Sequence, residues 1–124
     1  MSQKILIIDD DIISQNMLRS ALAQAGYSVL VASDGDEGIK KATEELPGLI
    51  ILDIMMPGMD GGEVAVVLKN DPETNRIPII FLSSLISEGS KRENSGRNSI
   101  TYLPKPFKRE ELLNEVKKYF LEEN

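Results

Sequence analysis

The stretch Ile5-Leu6-Ile7-Ile8-Asp9-Asp10-Asp11 decides the fold, because a short and wholly apolar run ends abruptly in acids. The same pattern returns at Leu49-Ile50-Ile51-Leu52-Asp53. Short apolar runs without polar alternation are typical of strands that are buried on both faces of a parallel sheet. The two stretches therefore predict central strands that each end at an acidic residue.

The rest of the chain alternates further apolar runs with longer amphipathic stretches. Three more strands are predicted, at residues 27–32, 77–82 and 101–103. Four helices are predicted, at residues 13–25, 35–46, 63–70 and 108–121. In the first helix the apolar residues that recur at helical spacing are Ile13, Met17, Ala21, Leu22 and Ala25. This alternation predicts an α/β fold of the doubly wound kind, in which helices cover both faces of a five-stranded parallel sheet.

Local signals mark where several of these elements begin and end. Asp11 and Asp34 stand where a helix N-cap is expected, and Gly26 follows the first helix as a stop. Residues 58–62, Gly-Met-Asp-Gly-Gly, have the composition of a turn. Residues 87–98 contain two glycines and no apolar residue, so they lack the apolar stripe of a stable helix. We expect that segment to be the part of the chain least protected from hydrogen exchange.

Composition excludes several classes of function. The chain of 124 residues suits one domain and has no cysteine, so it can hold neither a disulfide nor a thiolate metal site. It has no histidine either, which excludes histidine catalysis, histidine metal ligation and a role as phosphohistidine donor. The net charge of −6 disfavours direct binding to nucleic acid. No apolar segment approaches the roughly 20 residues that cross a bilayer, so we expect a cytoplasmic protein without membrane contact.

Side chains with carboxylate, hydroxyl or amine groups follow four of the five predicted strands. In chain order they are Asp9-Asp10, Asp53, Ser83-Ser84 and Lys105. Ligands of doubly wound sheets bind outside the carboxyl ends of the strands, where these residues would meet. Clustered carboxylates are unfavourable without a cation, and an all-oxygen ligand set suits Mg²⁺, with Mn²⁺ as a substitute. A carboxylate beside such a metal and a lysine is a plausible nucleophile for phosphoryl transfer.

Four longer stretches carry a resemblance to a known family. They are Ile7-Ile8-Asp9-Asp10-Asp11, Leu52-Asp53-Ile54-Met55-Met56-Pro57-Gly58-Met59-Asp60-Gly61, Pro78-Ile79-Ile80-Phe81-Leu82-Ser83 and Tyr102-Leu103-Pro104-Lys105-Pro106-Phe107. Over essentially its whole length, the chain resembles the receiver domain of bacterial two-component response regulators. The resemblance implies one receiver domain over residues 1–124, with no output domain in this chain. It also implies the flavodoxin-like strand order 2-1-3-4-5 that is known for the chemotaxis regulator.

The resemblance implies a role for each candidate site residue. Asp53 is the expected phosphoacceptor, Lys105 the lysine that contacts the phosphoryl group, and Ser83 the switch hydroxyl. Asp10 is expected to bind Mg²⁺ directly and Asp9 to assist, often through water. The remaining expected contributions are metal ligation by Asp53 and the main-chain carbonyl of Met55, a switching aromatic at Tyr102, and a cis bond between Lys105 and Pro106.

The implied partners are a histidine kinase or histidine phosphotransfer protein as donor and an unknown downstream protein. A receiver of this kind is a signalling protein and not a conventional enzyme, since it catalyses only its own phosphorylation and dephosphorylation. The departure from the family lies at residues 87–98, which put in doubt the partner surface that the family builds there.

The main alternative is a Mg²⁺-dependent phosphatase with an aspartate nucleophile. Asp9 and Asp11 have the spacing of its two acids, but Ile13 replaces its threonine and Asp53 is left unexplained. A flavin-binding domain of similar topology is disfavoured, because no phosphate loop of serine or threonine with glycine follows the first strand. A degenerate receiver that serves only for docking is disfavoured by the presence of all the key residues.

Overall fold

The computed structural model describes residues 3–83 and 101–120, and within these ranges strands alternate with helices. The strands are β1 (Lys4–Ile8), β2 (Ser28–Ala32), β3 (Leu49–Asp53), β4 (Ile79–Ser83) and β5 (Thr101–Pro104). The helices are α1 (Ile12–Gln24), α2 (Gly35–Glu45), α3 (Gly61–Asn70) and α4 (Arg109–Phe120). The predicted elements are confirmed, with ends that differ by one or two residues.

The strands form one parallel sheet in the order β2-β1-β3-β4-β5, as predicted. In the register of the sheet, Ile8 of β1 pairs with Leu52 of β3, and Asp53 pairs with Leu82 of β4. The order of the strands reverses between β1 and β3, since β2 lies on one side of β1 and β3 on the other. Such a reversal opens a crevice at the carboxyl ends of the strands, where α/β proteins bind their ligands.

Two apolar cores lie on the two faces of the sheet. All of β3 is buried; Leu49 and Ile51 belong to one core, and Ile50 and Leu52 belong to the other. Helices α1 and α4 supply the first core, and α2 and α3 the second. Because each buried leucine or isoleucine contributes about 1.5–3 kcal/mol, β3 is central to stability on both faces.

The apolar repeat that predicted α1 marks its buried face only in part, because Ala21 and Leu22 are buried and the other three residues are not. The buried residues of α1 are Gln15, Leu18, Ala21 and Leu22. Ile13 is 69% exposed and Met17 is 49% exposed, and Ala25 is exposed as well. The inward face of α1 is set by where the helix docks on the sheet. Gln15 can be buried on that face because its side-chain amide is hydrogen-bonded.

The predicted caps of α1 and α2 are confirmed. The Asp11 side chain accepts from the Ile13 amide at 3.1 Å, and the Asp34 side chain accepts from the Glu37 amide at 2.8 Å. Gly26 follows α1 with φ of 101°, the left-handed region that favours glycine.

The predicted start of α3 is wrong by two residues. The helix begins at Gly61, because Asp60 and Glu63 form a capping box and so draw Gly61 and Gly62, the last two residues of the expected turn, into the helix. A Cβ atom at Gly61 would collide with the Asp53 carbonyl. Glycine is therefore needed for α3 to begin against the end of β3.

Some expectations fall on residues that the structure does not describe. The expectation about residues 87–98 lies outside the described ranges, as do Ser84 and Leu121. Among the helices of the described ranges, none combines the length and the apolar character that crossing a membrane requires.

Candidate functional site

Four elements bring the candidate residues to the carboxyl edge of the sheet. Asp9 directly follows β1, Asp53 ends β3, Ser83 ends β4 and Lys105 directly follows β5. Asp9 is 0%, Ser83 2% and Asp53 3% exposed. Parallel pairing places these strand ends at one edge, so residues that are 96 positions apart in sequence lie in one crevice.

Three acids converge in this crevice. Asp9, Asp10 and Asp53 each offer a carboxylate oxygen, and these oxygens lie within 4.8 Å of one another. Asp9 and Asp53 are buried, whereas Asp10 is exposed. Two acids of the cluster thus lie inside the protein, and the third lies at the surface where the crevice opens to solvent.

Lys105 is the positive group that the structure places between the buried acids. Its Nζ lies 3.1 Å from Asp9 Oδ2 and 3.3 Å from Asp53 Oδ2. Burial lowers the pKa of Lys105, but the close approach of the Asp9 carboxylate, followed by that of Asp53, outweighs burial and leaves that pKa raised. The main-chain amide of Lys105 donates to the Ser83 carbonyl at 3.0 Å. The bond to Pro106 is cis, as the resemblance implied.

Asp53 is held in an environment that disfavours its charge. Burial, followed by the negative charge of Asp9, raises the pKa of Asp53 from 3.8 to about 6. The Lys105 ammonium and a hydrogen bond from the Met55 amide at 3.2 Å act in the opposite direction without cancelling the effect. A further cation in the crevice would therefore relieve an unfavourable charge.

The donor atoms fit a divalent metal of the hard kind. In residues 3–83 and 101–120, no group donates a hydrogen bond of good geometry to the buried Asp9 Oδ2, although the Lys105 ammonium lies close to it. The three acids offer oxygen ligands alone, which suits Mg²⁺. The described residues at this edge thus have the chemistry of a magnesium site, and the metal would bring positive charge to a phosphoryl group bound there.

Two further candidates lie beside this cluster. Met55 is two residues past Asp53, and its side chain is 55% exposed. Tyr102 is half-buried on β5 and stacks on Phe81, its register partner on β4, with ring centroids 5.4 Å apart and an interplanar angle of 24°. The structure thus brings Asp9, Asp10, Asp53 and Lys105 together, and it places Ser83 at the end of β4 and Tyr102 on β5.

Sequence reasoning missed Gln15. This residue is 5% exposed, and its side-chain amide donates to the Asp9 carbonyl and to Ser33 Oγ. The signal was present, since Gln15, Leu18 and Leu22 follow the spacing of one helical face. It was obscured by the stronger apolar repeat of Ile13 and Met17.

Comparison with known proteins agrees with this architecture. Residues 5–117 match the family model described as the response regulator receiver domain. The chain is 38% identical over 117 residues to the alkaline phosphatase synthesis regulator PhoP of Bacillus subtilis, and the match covers 94% of this chain and 48% of that protein. It is 36% identical over 107 residues to the response regulator PleD of Caulobacter vibrioides, with 86% of this chain and 24% of that protein covered. The chain thus spans about a quarter to a half of these curated relatives.

Solved structures show the same likeness over nearly the whole chain. The chemotaxis protein CheY4 of Vibrio cholerae superposes with a TM-score of 0.83 at 32% identity, and the match covers 96% of this chain and 99% of that one. The receiver domain of the sensor histidine kinase PA1611 of Pseudomonas aeruginosa gives a TM-score of 0.81 at 30% identity and covers 96% and 98%. That structure has a magnesium ion coordinated in its active site cleft. The chain belongs to the response regulator receiver domain family of two-component signalling systems.

Proposed function

We propose that Asp53 is the phosphoacceptor of this receiver, with Lys105 and Ser83 assisting it beside a bound Mg²⁺ ion. The observation that carries the proposal is the position of Asp53, which ends β3 within 4.8 Å of the oxygens of Asp9 and Asp10 and has the Lys105 ammonium 3.3 Å away. A buried nucleophile between acids and an ammonium is suited to receive a group that itself carries negative charge.

The chemistry that follows from this geometry is one displacement at phosphorus. A carboxylate oxygen of Asp53 forms the new P–O bond while the P–N bond of the donor phosphohistidine breaks, and the electron pair of that bond stays on the imidazole nitrogen. The Lys105 ammonium neutralises a phosphoryl oxygen as a point charge, and the Ser83 hydroxyl donates a hydrogen bond to another. Ion pairs to Asp9 and Asp53 hold the Lys105 ammonium beside the nucleophile, and Ser83 stands at the end of β4, the strand next to β3.

The metal ligands proposed are the carboxylates of Asp9, Asp10 and Asp53 and the main-chain carbonyl of Met55. Mg²⁺ is the expected ion and Mn²⁺ a substitute, because both accept ligand sets of oxygen and water. The magnesium reported for the PA1611 receiver supports the choice of ion.

The donor is proposed to be a histidine kinase or a histidine phosphotransfer protein. The chain itself has no histidine, so the phosphohistidine must come from a partner. An apolar ridge beside the crevice is suited to bind that partner. It is formed by Ile12, Ile13 and Met17, which are 62%, 69% and 49% exposed. The ridge adjoins a groove of about 400 Å³ lined by Asn16, Met17, Ser20, Ala21, Phe107 and Arg109.

The signal is proposed to reach a downstream protein through Ser83 and Tyr102. A phosphoryl group that draws the Ser83 hydroxyl toward Asp53 changes the space at the end of β4, next to β5. The Tyr102 ring on β5 stacks on Phe81 of β4, so a change in the space at the end of β4 can alter the position of the ring. The net charge of −6 supports the expectation that the domain does not bind nucleic acid directly.

The phosphatase alternative is not favoured. It requires Asp9 as nucleophile and Asp11 as the second acid. Asp9 is fully buried beside Lys105, and Asp11 is occupied as the N-cap of α1, where it accepts from the Ile13 amide and the Ser14 hydroxyl.

The proposal is tested with acetyl phosphate and Mg²⁺, followed by intact mass measurement and mapping of the modified peptide. Wild-type protein is expected to gain one phosphoryl group on Asp53, and the gain is expected to disappear with a chelator. Asp53→Asn is the matched variant, because it retains size and loses the nucleophile. Phosphorylation of Asp53→Asn at the wild-type rate would overturn the assignment.

A further inference from the structure

Gln15 is a polar residue on the buried face of α1, one turn from the start of the helix. It is 5% exposed, whereas the other buried residues of that face are Leu18, Ala21 and Leu22. Burying an amide is unfavourable unless its hydrogen bonds are remade inside the protein. The partners of the Gln15 amide therefore indicate why the residue occupies this position.

Both known partners of the Gln15 amide lie at the carboxyl edge of the sheet. Nε2 donates to the main-chain carbonyl of Asp9 and, at 3.1 Å, to Ser33 Oγ. A carbonyl oxygen can only accept, so the NH₂ group and not the amide oxygen of Gln15 faces Asp9. One side chain of α1 thus joins the end of β1 to the loop after β2.

The bond from Gln15 completes the fixation of Asp9. The Asp9 amide donates to the Ala32 carbonyl at 3.1 Å, and Asp9 Oδ1 accepts from the Asp11 amide at 2.9 Å. With its carbonyl also held, Asp9 is constrained at its amide, its carbonyl and its side chain. The peptide plane between Asp9 and Asp10 is therefore fixed on the carbonyl side by Gln15.

Asp10 depends on that peptide plane for its direction. It is exposed, and within residues 3–83 and 101–120 no hydrogen bond or ion pair holds its carboxylate. Its carboxylate oxygen nevertheless lies within 4.8 Å of ligand atoms of Asp9 and Asp53. With no side-chain partner among the described residues, the direction of Asp10 depends on its backbone, and Gln15 holds part of that backbone.

We propose that Gln15 is a positioning residue for magnesium, which orients Asp10 by holding the carbonyl of the Asp9–Asp10 peptide. The inference rests on the proposed function, because it needs the three acids to bind the metal. Groups that orient metal ligands without touching the metal typically contribute 10–100-fold in affinity. Loss of the Gln15 amide is accordingly expected to weaken Mg²⁺ binding about tenfold.

The test is isothermal titration calorimetry of Mg²⁺ into the wild-type chain and three variants. Gln15→Met keeps the volume and removes the donor, and Gln15→Asn keeps the amide on a chain one methylene shorter. Ser33→Ala is the control, because it removes the other partner of Gln15 and leaves the Asp9 bond in place. Circular dichroism establishes which variants are folded, and the metal-free amide shifts of Asp10 report its backbone directly.

The expected result is a dissociation constant for Mg²⁺ about tenfold higher in each folded Gln15 variant and changed less than about twofold in Ser33→Ala. The rate of phosphorylation by acetyl phosphate should return to the wild-type value at saturating Mg²⁺, because Gln15 touches neither the metal nor the phosphoryl group. Wild-type affinity in a folded Gln15 variant, or equal loss in Ser33→Ala, would overturn the inference and leave the proposed function intact. Failure of wild-type protein to bind Mg²⁺ would overturn both.

Discussion

The interior of the sheet is apolar and its carboxyl edge is polar, and the change from one to the other takes a single residue along the chain. Ile8, Leu52 and Leu82 are fully buried among apolar neighbours, and the next residues of the three strands are Asp9, Asp53 and Ser83. The interior is stabilised by burial of apolar surface. The edge instead brings acids together, and burial and the charge of Asp9 make the ionised form of Asp53 unfavourable. Stability and chemistry are therefore concentrated in adjacent layers of the same strands.

The largest expected effect comes from the interior. Leu52→Ala removes a fully buried side chain from the core shared with α2 and α3, so the free energy of unfolding is expected to fall by about 3 kcal/mol. Val66→Ala is the control, because Val66 is 60% exposed on α3 and its loss should change stability by about 0.5 kcal/mol or less. Equilibrium unfolding in urea measures both. Equal effects of the two variants would contradict the claim that burial in the interior of the sheet supplies the stability.

A smaller effect of opposite sign is expected at the edge. Because the pKa of Asp53 is raised in the folded state, that state binds the proton more tightly than the unfolded chain, and the contribution of Asp53 to stability falls as pH rises from 3.8 to about 6. Asn cannot ionise, so Asp53→Asn does not lose stability over this pH range as the wild type does. Without metal, the variant is expected to be more stable than wild type by of the order of 1 kcal/mol above pH 6.

The measurement is urea unfolding of wild type and Asp53→Asn with a chelator across that pH range. The difference in stability should be small at the acid end and should grow to a plateau near neutral pH. A difference that does not depend on pH would show that burial and Asp9 do not act on the charge of Asp53 as described.

The smallest expected effect concerns the lifetime of the phosphoryl group. Met55 is exposed two residues after Asp53, and we expect its side chain to border the approach of water to the phosphoryl group, where a thioether cannot polarise that water. Met55→Asn is therefore expected to speed the loss of the phosphoryl group by a few-fold. Leu85 stands two residues after Ser83, where the family resemblance implies a side chain that borders the same approach, so Leu85→Glu is expected to add to that effect. Decay of phosphorylated protein after removal of acetyl phosphate measures this. A double variant that decays no faster than wild type would remove the proposed role of both side chains.

The sequence predicted the sheet and most of its edge because the signals there are strong and local. Uninterrupted apolar runs define the strands, and parallel pairing then forces Asp9, Asp53 and Lys105 to one edge. The same argument located the hydroxyl only to a pair of serines, and the end of β4 now falls on Ser83.

The parts that the sequence did not predict depend on tertiary packing. Ile13 and Met17 form an apolar repeat but face outward, since the docking of α1 on the sheet selects its inner face. Gln15 looks like a surface residue until its amide is seen to meet the Asp9 carbonyl. Gly61 begins a helix that its composition disfavours, because the end of β3 leaves no room for a side chain.

The most direct measurement is a thermal melt with and without millimolar Mg²⁺, for wild type and for Asp10→Ala. If the acids of the edge form a metal site, Mg²⁺ binds the folded state alone and raises the Tm of wild type by a few degrees, which corresponds to about 1.4 kcal/mol at a concentration tenfold above the dissociation constant. Asp10→Ala is expected to lose most of that shift while remaining folded, since Asp10 is exposed. No shift in wild type, or an equal shift in Asp10→Ala, would contradict the account.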